Sequence, residues 1–276
     1  MNDYLDAAIE IAREAGQVLL AHRGAVFELK GAFDLVTAAD RASEQLIMTR
    51  LGERFPQHGI VAEEGGRAKM QAEMRWYVDP LDGTTNFAHG YPMWNVTLAL
   101  ARKGEVIAGV VYDPLNRELF AAERGAGARL NGAPMRVSKT PVLNDALVST
   151  GFPSRKRHQN VNIHFYYQLA MVTHGVRRGG SAALDLAYTA CGRLEAFWEF
   201  GLNPWDMAAG TLLVEEAGGK VSGMQGEPLD LHGRYLLVDN GLIHTEILGL
   251  FGEIFAGRYQ HEMPSLPVEE WELQRG

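Results

Sequence analysis

Residues 76–87 read Trp76-Tyr77-Val78-Asp79-Pro80-Leu81-Asp82-Gly83-Thr84-Thr85-Asn86-Phe87, and the reading of the chain turns on them. Three large β-formers predict a strand that runs into a turn. Asp79 stands at the strand's end, and Pro80 fixes the chain direction just after it. Asp82 follows, then Gly83 and two threonines, a pattern that predicts a helix opening with unpartnered backbone N–H groups. Such an end attracts anions. Two carboxylates beside free amides conflict unless a cation lies between them, and a magnesium ion bridging carboxylates and a phosphate resolves the conflict. Asp-Pro and Asp-Gly are also turn dipeptides, so the same letters in isolation fit a plain hairpin turn.

Working outward, residues 3–22 space Leu5, Ala8, Ile9, Ala12 and Leu19 as one face of an amphipathic helix. Asp34-Leu35-Val36-Thr37 is short and extended. A second helix is predicted from Thr37–Asp40 through Leu46, Ile47 and Leu51, with Thr-x-x-Asp as a capping-box variant. Gly59–Gly66 is a strand ending in Glu63-Glu64, and Arg67–Arg75 reads as a mobile surface loop. Val96–Arg102, Glu105–Tyr112 and Glu118–Ala122 are successive strands separated by turn formers. The first half is therefore α+β. Turn-rich Asn131–Leu143 leads to a second half. There Leu147–Gly151 is a strand, and Asn160–His174 and Ser181–Cys191 are helices. Leu194–Phe200 alternates, with Leu194, Trp198 and Phe200 on one face and Glu195 and Glu199 on the other. Asp206 is placed to N-cap a further helix that ends at Gly218-Gly219. The basic run Arg155–His158 reads as a solvated loop that could steer an anion.

The chain has 276 residues, 46% hydrophobic and 22% charged, enough apolar material for one large or two fused domains. Cys191 is the single cysteine, in an apolar helical run, which excludes an internal disulfide and a thiolate cluster. A net charge of −8 argues against general nucleic-acid binding. No apolar run approaches the roughly 20 residues of a membrane span, and the acidic start is not a secretory signal, so the cytoplasm is expected.

Four segments, DLVTAAD (34–40), EE (63–64), DPLDGTTNF (79–87) and NPWDMAAG (203–210), occur in an order and spacing that resemble the inositol monophosphatase family of Mg²⁺-dependent, lithium-sensitive phosphatases. The resemblance covers nearly the whole chain. It departs mildly at Ala62, where many relatives have Gly. It implies an α/β fold of the α+β kind, layered α-β-α-β-α, with two fused subdomains and the active site between them. The halves would be 1–143 and 144–262, followed by a peripheral tail at 263–276.

The resemblance also implies the chemistry. Glu63, Asp79, Asp82, Asp206 and the Leu81 carbonyl would ligate two or more Mg²⁺ ions. Hard oxygen donors without clustered His or Cys suit that metal. Asp40 and Thr84, beside Glu63, would orient and deprotonate an attacking water. The amides of Gly83 and Thr84 would hold phosphate oxygens. Asp82, Gly180, Ser181, Ala182 and Glu199 would contact substrate hydroxyls, although Glu199 equally fits an exposed strand carboxylate. Lys30 matches a family lysine near the phosphate. His89 lacks ligand spacing and takes no role. The expected substrate is a small phosphorylated polyol or sugar, foremost inositol-1-phosphate, hydrolysed without a phosphoenzyme. Fructose-1,6-bisphosphate, histidinol phosphate and a non-catalytic binding role are the alternatives. A homodimer is expected.

Overall fold

The computed structural model describes residues 3–24, 27–29, 35–152 and 160–263. Lys30, Asp34, the run Arg155–His158 and the tail from 264 lie outside the described residues. Helix α1 (Asp3–Ala21) buries Leu5, Ala8, Ala12 and Leu19 of the expected stripe, together with Ile11 and Ala15, while Ile9 is half-buried at its margin. A short hairpin of β1 (Phe27–Leu29) and β2 (Leu35–Thr37) leads into α2 (Ala38–Arg54). Thr37 is the N-cap of α2. Its hydroxyl accepts from the Ala39 and Asp40 amides, and Asp40 Oδ2 accepts the Thr37 N–H at 2.7 Å, which closes the capping box.

Eight strands form the larger sheet: β3 (Gly59–Ala62), β4 (Arg67–Ala68), β5 (Met74–Asp82), β6 (Asn95–Arg102), β7 (Glu105–Asp113), β8 (Glu118–Glu123), β9 (Gly127–Leu130) and β10 (Ala133–Pro134). Their order is β10-β9-β8-β7-β6-β5-β3-β4. All neighbours are antiparallel except β3 and β5, which run parallel with Val61 opposite Tyr77. Two expectations are corrected here. Strand β5 does not stop at Asp79 but continues to Asp82, with its register to β6 shifting between those residues. That irregularity accommodates Pro80, which has no N–H to give a ladder. Arg67–Arg75 is not simply a loop. Arg67 and Ala68 pair with Val61 and Ile60, and Met74 and Arg75 already belong to β5. A two-residue, charged edge strand carries no apolar alternation by which to read it.

Between β5 and β6 lies α3 (Thr84–Ala88). The second sheet is built from β11 (Leu147–Thr150), β12 (Gly175–Arg177), β13 (Ala196–Phe200), β14 (Lys220–Ser222) and β15 (Tyr235–Asp239), in the order β12-β11-β13-β15-β14. The helices among them are α4 (Asn162–Val172), α5 (Ala182–Ala190), α6 (Pro204–Glu216) and α7 (His244–Phe255).

Side-chain parity stacks these elements into five layers. On β5, Trp76 and Val78 join Ile11, Leu19, Ile47 and Leu51 of α1 and α2. Tyr77, between them in sequence, faces the other way and packs with Leu186 of α5 and Met207 and Leu212 of α6. Phe197 of β13 joins that central cluster from the opposite sheet. Its neighbours Ala196 and Trp198 turn outward to Phe165 of α4 and Ile247 and Phe251 of α7. The molecule is therefore layered α-β-α-β-α, with α5 and α6 sandwiched between the sheets. Burial of side chains this large contributes roughly 1.5–3 kcal/mol each before the cost of ordering them.

Candidate active site

The parity that sorts the core also aims the acids. Glu63 shares the face of Val61, and Asp79 shares that of Tyr77; both point toward the α5–α6 layer. Because β3 and β5 are parallel and the Glu63 N–H continues their ladder onto Val78 O (3.1 Å), the two acids leave the sheet side by side. Asp79 is 2% exposed, and its Oδ1 accepts the Leu81 N–H at 3.0 Å. Burial, reinforced by the charges of Glu63, Asp82 and Asp206, holds its proton affinity well above the usual carboxylate range.

Asp82 lies just beyond the register shift and reaches toward the start of α5. Its Oδ2 accepts from Ser181 Oγ (2.7 Å), the Ala183 N–H (2.8 Å) and Asn95 Nδ2 (3.0 Å). Burial raises its proton affinity, and those three donors oppose the rise. Ser181 N-caps α5, accepting the Leu184 N–H at 3.3 Å. Asn95 Nδ2 also lies 2.9 Å from Ser181 Oγ. Ser181 is thus buried behind Asp82, while its neighbours Gly180 and Ala182 line the cavity described below.

Asp206 does not take the N-cap position expected for it. Asn203 is the N-cap of α6, Pro204 occupies the first turn, and Asp206 is the third helical residue, with Oδ2 accepting the Asn203 N–H at 2.7 Å. Asn-Pro-Trp-Asp is itself a capping-box pattern, which moves the helix start three residues upstream. Burial pushes the Asp206 carboxyl up to about 7, and the Asn203 N–H opposes the shift. Thr84 Oγ1 lies 2.9 Å from Asp40 Oδ1 and 3.0 Å from Leu81 O, so its single proton has two acceptors. Asp40 is fully buried behind Thr84. Gly83 precedes them at φ 89°, where an added Cβ would meet Met93 O at 2.8 Å.

Glu63, Asp79, Leu81, Asp82, Gly83, Thr84 and Asp206 line one cavity of about 250 Å³ that also includes Glu199 of β13 and Arg178, while the buried Asp40 and Ser181 lie outside its lining. Larger hollows of about 650 and 580 Å³ lie along α4 and α7 and along α1, without such a concentration of acids. Among the described lining residues, five carboxylates (Glu63, Asp79, Asp82, Glu199, Asp206) face one guanidinium, that of Arg178. Among the described residues, no three Asp, Glu, His or Cys side chains stand close enough to hold an ion as placed. Glu199 is also held well above the usual carboxylate range, by burial and then by Asp185 and Asp82. His89 is exposed and outside the cavity.

Three residues near the site escaped the sequence reading. Asp185, one turn into α5, is 2% exposed and pushed well above the usual range by burial. Its signal was the lone charge inside the apolar run Ala182–Ala190. Arg178 and Asn95 carry no local signature, since only the tertiary fold brings them to Asp82 and Glu199.

A five-layer α-β-α-β-α sandwich with an acid-lined cavity beside its buried helix pair is the layering that the resemblance to a phosphatase family implied. The inositol monophosphatase family profile matches residues 1–255, and the chain belongs to that family. An inositol-1-monophosphatase of Synechocystis sp. is 44% identical over 252 residues, covering 90% of this chain and 88% of the relative. The Nus factor SuhB of Pseudomonas aeruginosa is 45% identical over 276 residues, covering 96% and 99%. The solved structure of an inositol monophosphatase from Anabaena (Nostoc) sp. superposes with a TM-score of 0.82 at 43% identity, covering 89% and 94%.

Proposed function

We propose that this phosphatase-family protein is a Mg²⁺-dependent phosphomonoesterase acting on a small phosphorylated polyol, with inositol-1-phosphate as the foremost substrate. One observation carries the reading: Glu63, Asp79, Asp82 and Asp206 are brought to a single cavity whose described lining sets five carboxylates against one guanidinium. The donor chemistry fits a hard divalent ion. The cavity's described lining offers carboxylates and the buried Leu81 residue, with no His or Cys. Glu63, Asp79, Asp82, Asp206 and the Leu81 carbonyl would hold it. When bound, such an ion supplies charge neutralisation for a phosphate ester and a lowered pKa for water.

The remaining work falls to the chain's own residues. Thr84 Oγ1, hydrogen-bonded to Asp40, would take a proton from water and pass it to the Asp40 carboxylate. The amides of Gly83 and Thr84 would receive phosphate oxygens. Glu199, with Gly180 and Ala182 on the same wall, would accept hydrogen bonds from polyol hydroxyls. Ser181 would act one step back, by orienting Asp82. Direct hydrolysis by water, without a phosphoenzyme, is part of the proposal. No helix among the described residues is long and apolar enough to cross a membrane. A cytoplasmic homodimer is the proposed working form.

Phosphate release with and without Mg²⁺ on inositol-1-phosphate, fructose-1,6-bisphosphate, histidinol phosphate and adenosine 3′,5′-bisphosphate tests the reading. Mg²⁺-dependent release fastest from inositol-1-phosphate is expected. Another winner would keep the site and change the substrate. Similarity to proteins named Nus factor SuhB favours a second reading, a macromolecular binding role on the same scaffold. Silence of a folded, Mg²⁺-supplied protein across the panel would favour it.

A further inference from the structure

In the turn that carries Glu63, every backbone N–H from Ala62 to Gly66 has an acceptor. The Ala62 N–H donates to Gly66 O, that of Glu63 to Val78 O, and that of Gly65 to Ala62 O. The two that remain, Glu64 and Gly66, both donate to the side chain of Glu44 on α2, at 2.9 Å to Oε2 and 3.1 Å to Oε1. A Cβ on Gly66 would come within 2.9 Å of that Oε1, so the turn closes tightly around the carboxylate. Glu44 follows Asp40 by four residues and Ser43 by one, so all three share a face of α2. Ser43 Oγ donates to Pro80 O at 2.8 Å, and Asp40 receives Thr84. One helix face therefore grips the β3–β4 turn, the end of β5 and the start of α3.

We infer that Glu44 is a positioning residue for Glu63, fixing by a two-pronged carboxylate clamp the turn from which Glu63 enters the cation site; this rests on the metal reading given above. The two N–H groups meet separate oxygens of one side chain, so both must be acceptors, as in a carboxylate. An amide offers one acceptor and one donor, so Glu44→Gln keeps the shape but opposes one N–H with another. The clamp thus acts on Glu63 through the backbone, as outer groups act on metal-binding side chains elsewhere.

The test compares wild-type protein, Glu44→Gln and Gly66→Ala, with Gln45→Ala, an exposed neighbour, as control. Mn²⁺ alone is titrated calorimetrically into metal-free protein, and the Mg²⁺ dependence of phosphate release is measured beside it. Gly66→Ala displaces the carboxylate from the turn's side, so the inference does not hang on how one variant folds. Both variants are expected to weaken Mn²⁺ binding about tenfold or more, with a parallel rise in the Mg²⁺ needed for half-maximal rate. At saturating metal, kcat should stay within about threefold of wild type. Unchanged Mn²⁺ affinity in both variants of a protein that otherwise binds the metal overturns the clamp alone, even if melting temperatures fall. Wild-type protein that binds no Mn²⁺ and hydrolyses nothing overturns the site reading and the clamp with it.

Discussion

Ser181→Ala isolates how far the acid site depends on the α5 start. The Ser181 hydroxyl donates to Asp82 at 2.7 Å and accepts the Leu184 N–H at 3.3 Å, with Asn95 Nδ2 at 2.9 Å. Removing it costs about 1 kcal/mol for the lost cap. The lost charge-assisted bond to Asp82 costs about 1.5–3 kcal/mol more. These terms overlap, so a total of roughly 2–4 kcal/mol is expected. For a chain of this size that corresponds to a fall in Tm of roughly 4–10 °C, measured by calorimetry on metal-free protein. The electrostatic consequence has a definite sign. The Ser181 bond favours ionised Asp82 against burial, so its loss moves the Asp82 proton affinity further up. The acid limb of the pH–rate profile should then shift to higher pH, and more Mg²⁺ should be needed there, since protons and metal compete. An alanine variant that melts within about 1 °C of wild type and keeps its acid limb would refute this reasoning.

Other perturbations follow from the same geometry. Asp206→Asn should abolish Mg²⁺-dependent turnover while the protein stays folded, because an amide oxygen can still accept the Asn203 N–H; an active variant would remove Asp206 from the site. Asp206 titrates near 7 in the folded chain and in the ordinary carboxylate range when unfolded. Between about pH 4 and 7 the folded state therefore holds a proton the unfolded chain has lost, and stability falls as pH rises through that window, by a few kcal/mol at most. Denaturant titrations of metal-free protein at pH 4.5 and 7.5 (about the two edges of that window) should show the loss, and added Mg²⁺ should reverse it at the higher pH. Gly83→Ala forces a side chain into the φ 89° position against Met93 O. It should cost about 1–3 kcal/mol and most of the activity, as read by melting and phosphate release.

Much of this architecture was legible in the letters, and what was not has physical causes. The Thr37–Asp40 capping box, the β6–β8 strands and the α1 stripe, apart from half-buried Ile9, follow local rules and stand in the structure. Asp206 was misplaced by three residues because two capping patterns compete there, and Asn203-Pro204 wins. The alternation of β13 put Glu199 opposite Trp198, but only the second layer of helices decides that this opposite face is a cavity wall rather than solvent. Glu63 and Asp79 stand side by side because β3 and β5 are parallel, a pairing across intervening β4 that no local pattern encodes. Glu44, Asn95 and Arg178 are single polar residues whose partners lie far along the chain, so their roles emerge only with the tertiary structure.

The most direct test of the central claim is anomalous diffraction from crystals of this protein soaked in Mn²⁺. A peak is expected in the acid-lined cavity, coordinated by Glu63, Asp79, Asp82 or Asp206 and lost in Asp82→Asn crystals. A cavity without a peak at saturating Mn²⁺, or a peak bound elsewhere and indifferent to Asp82, would contradict it.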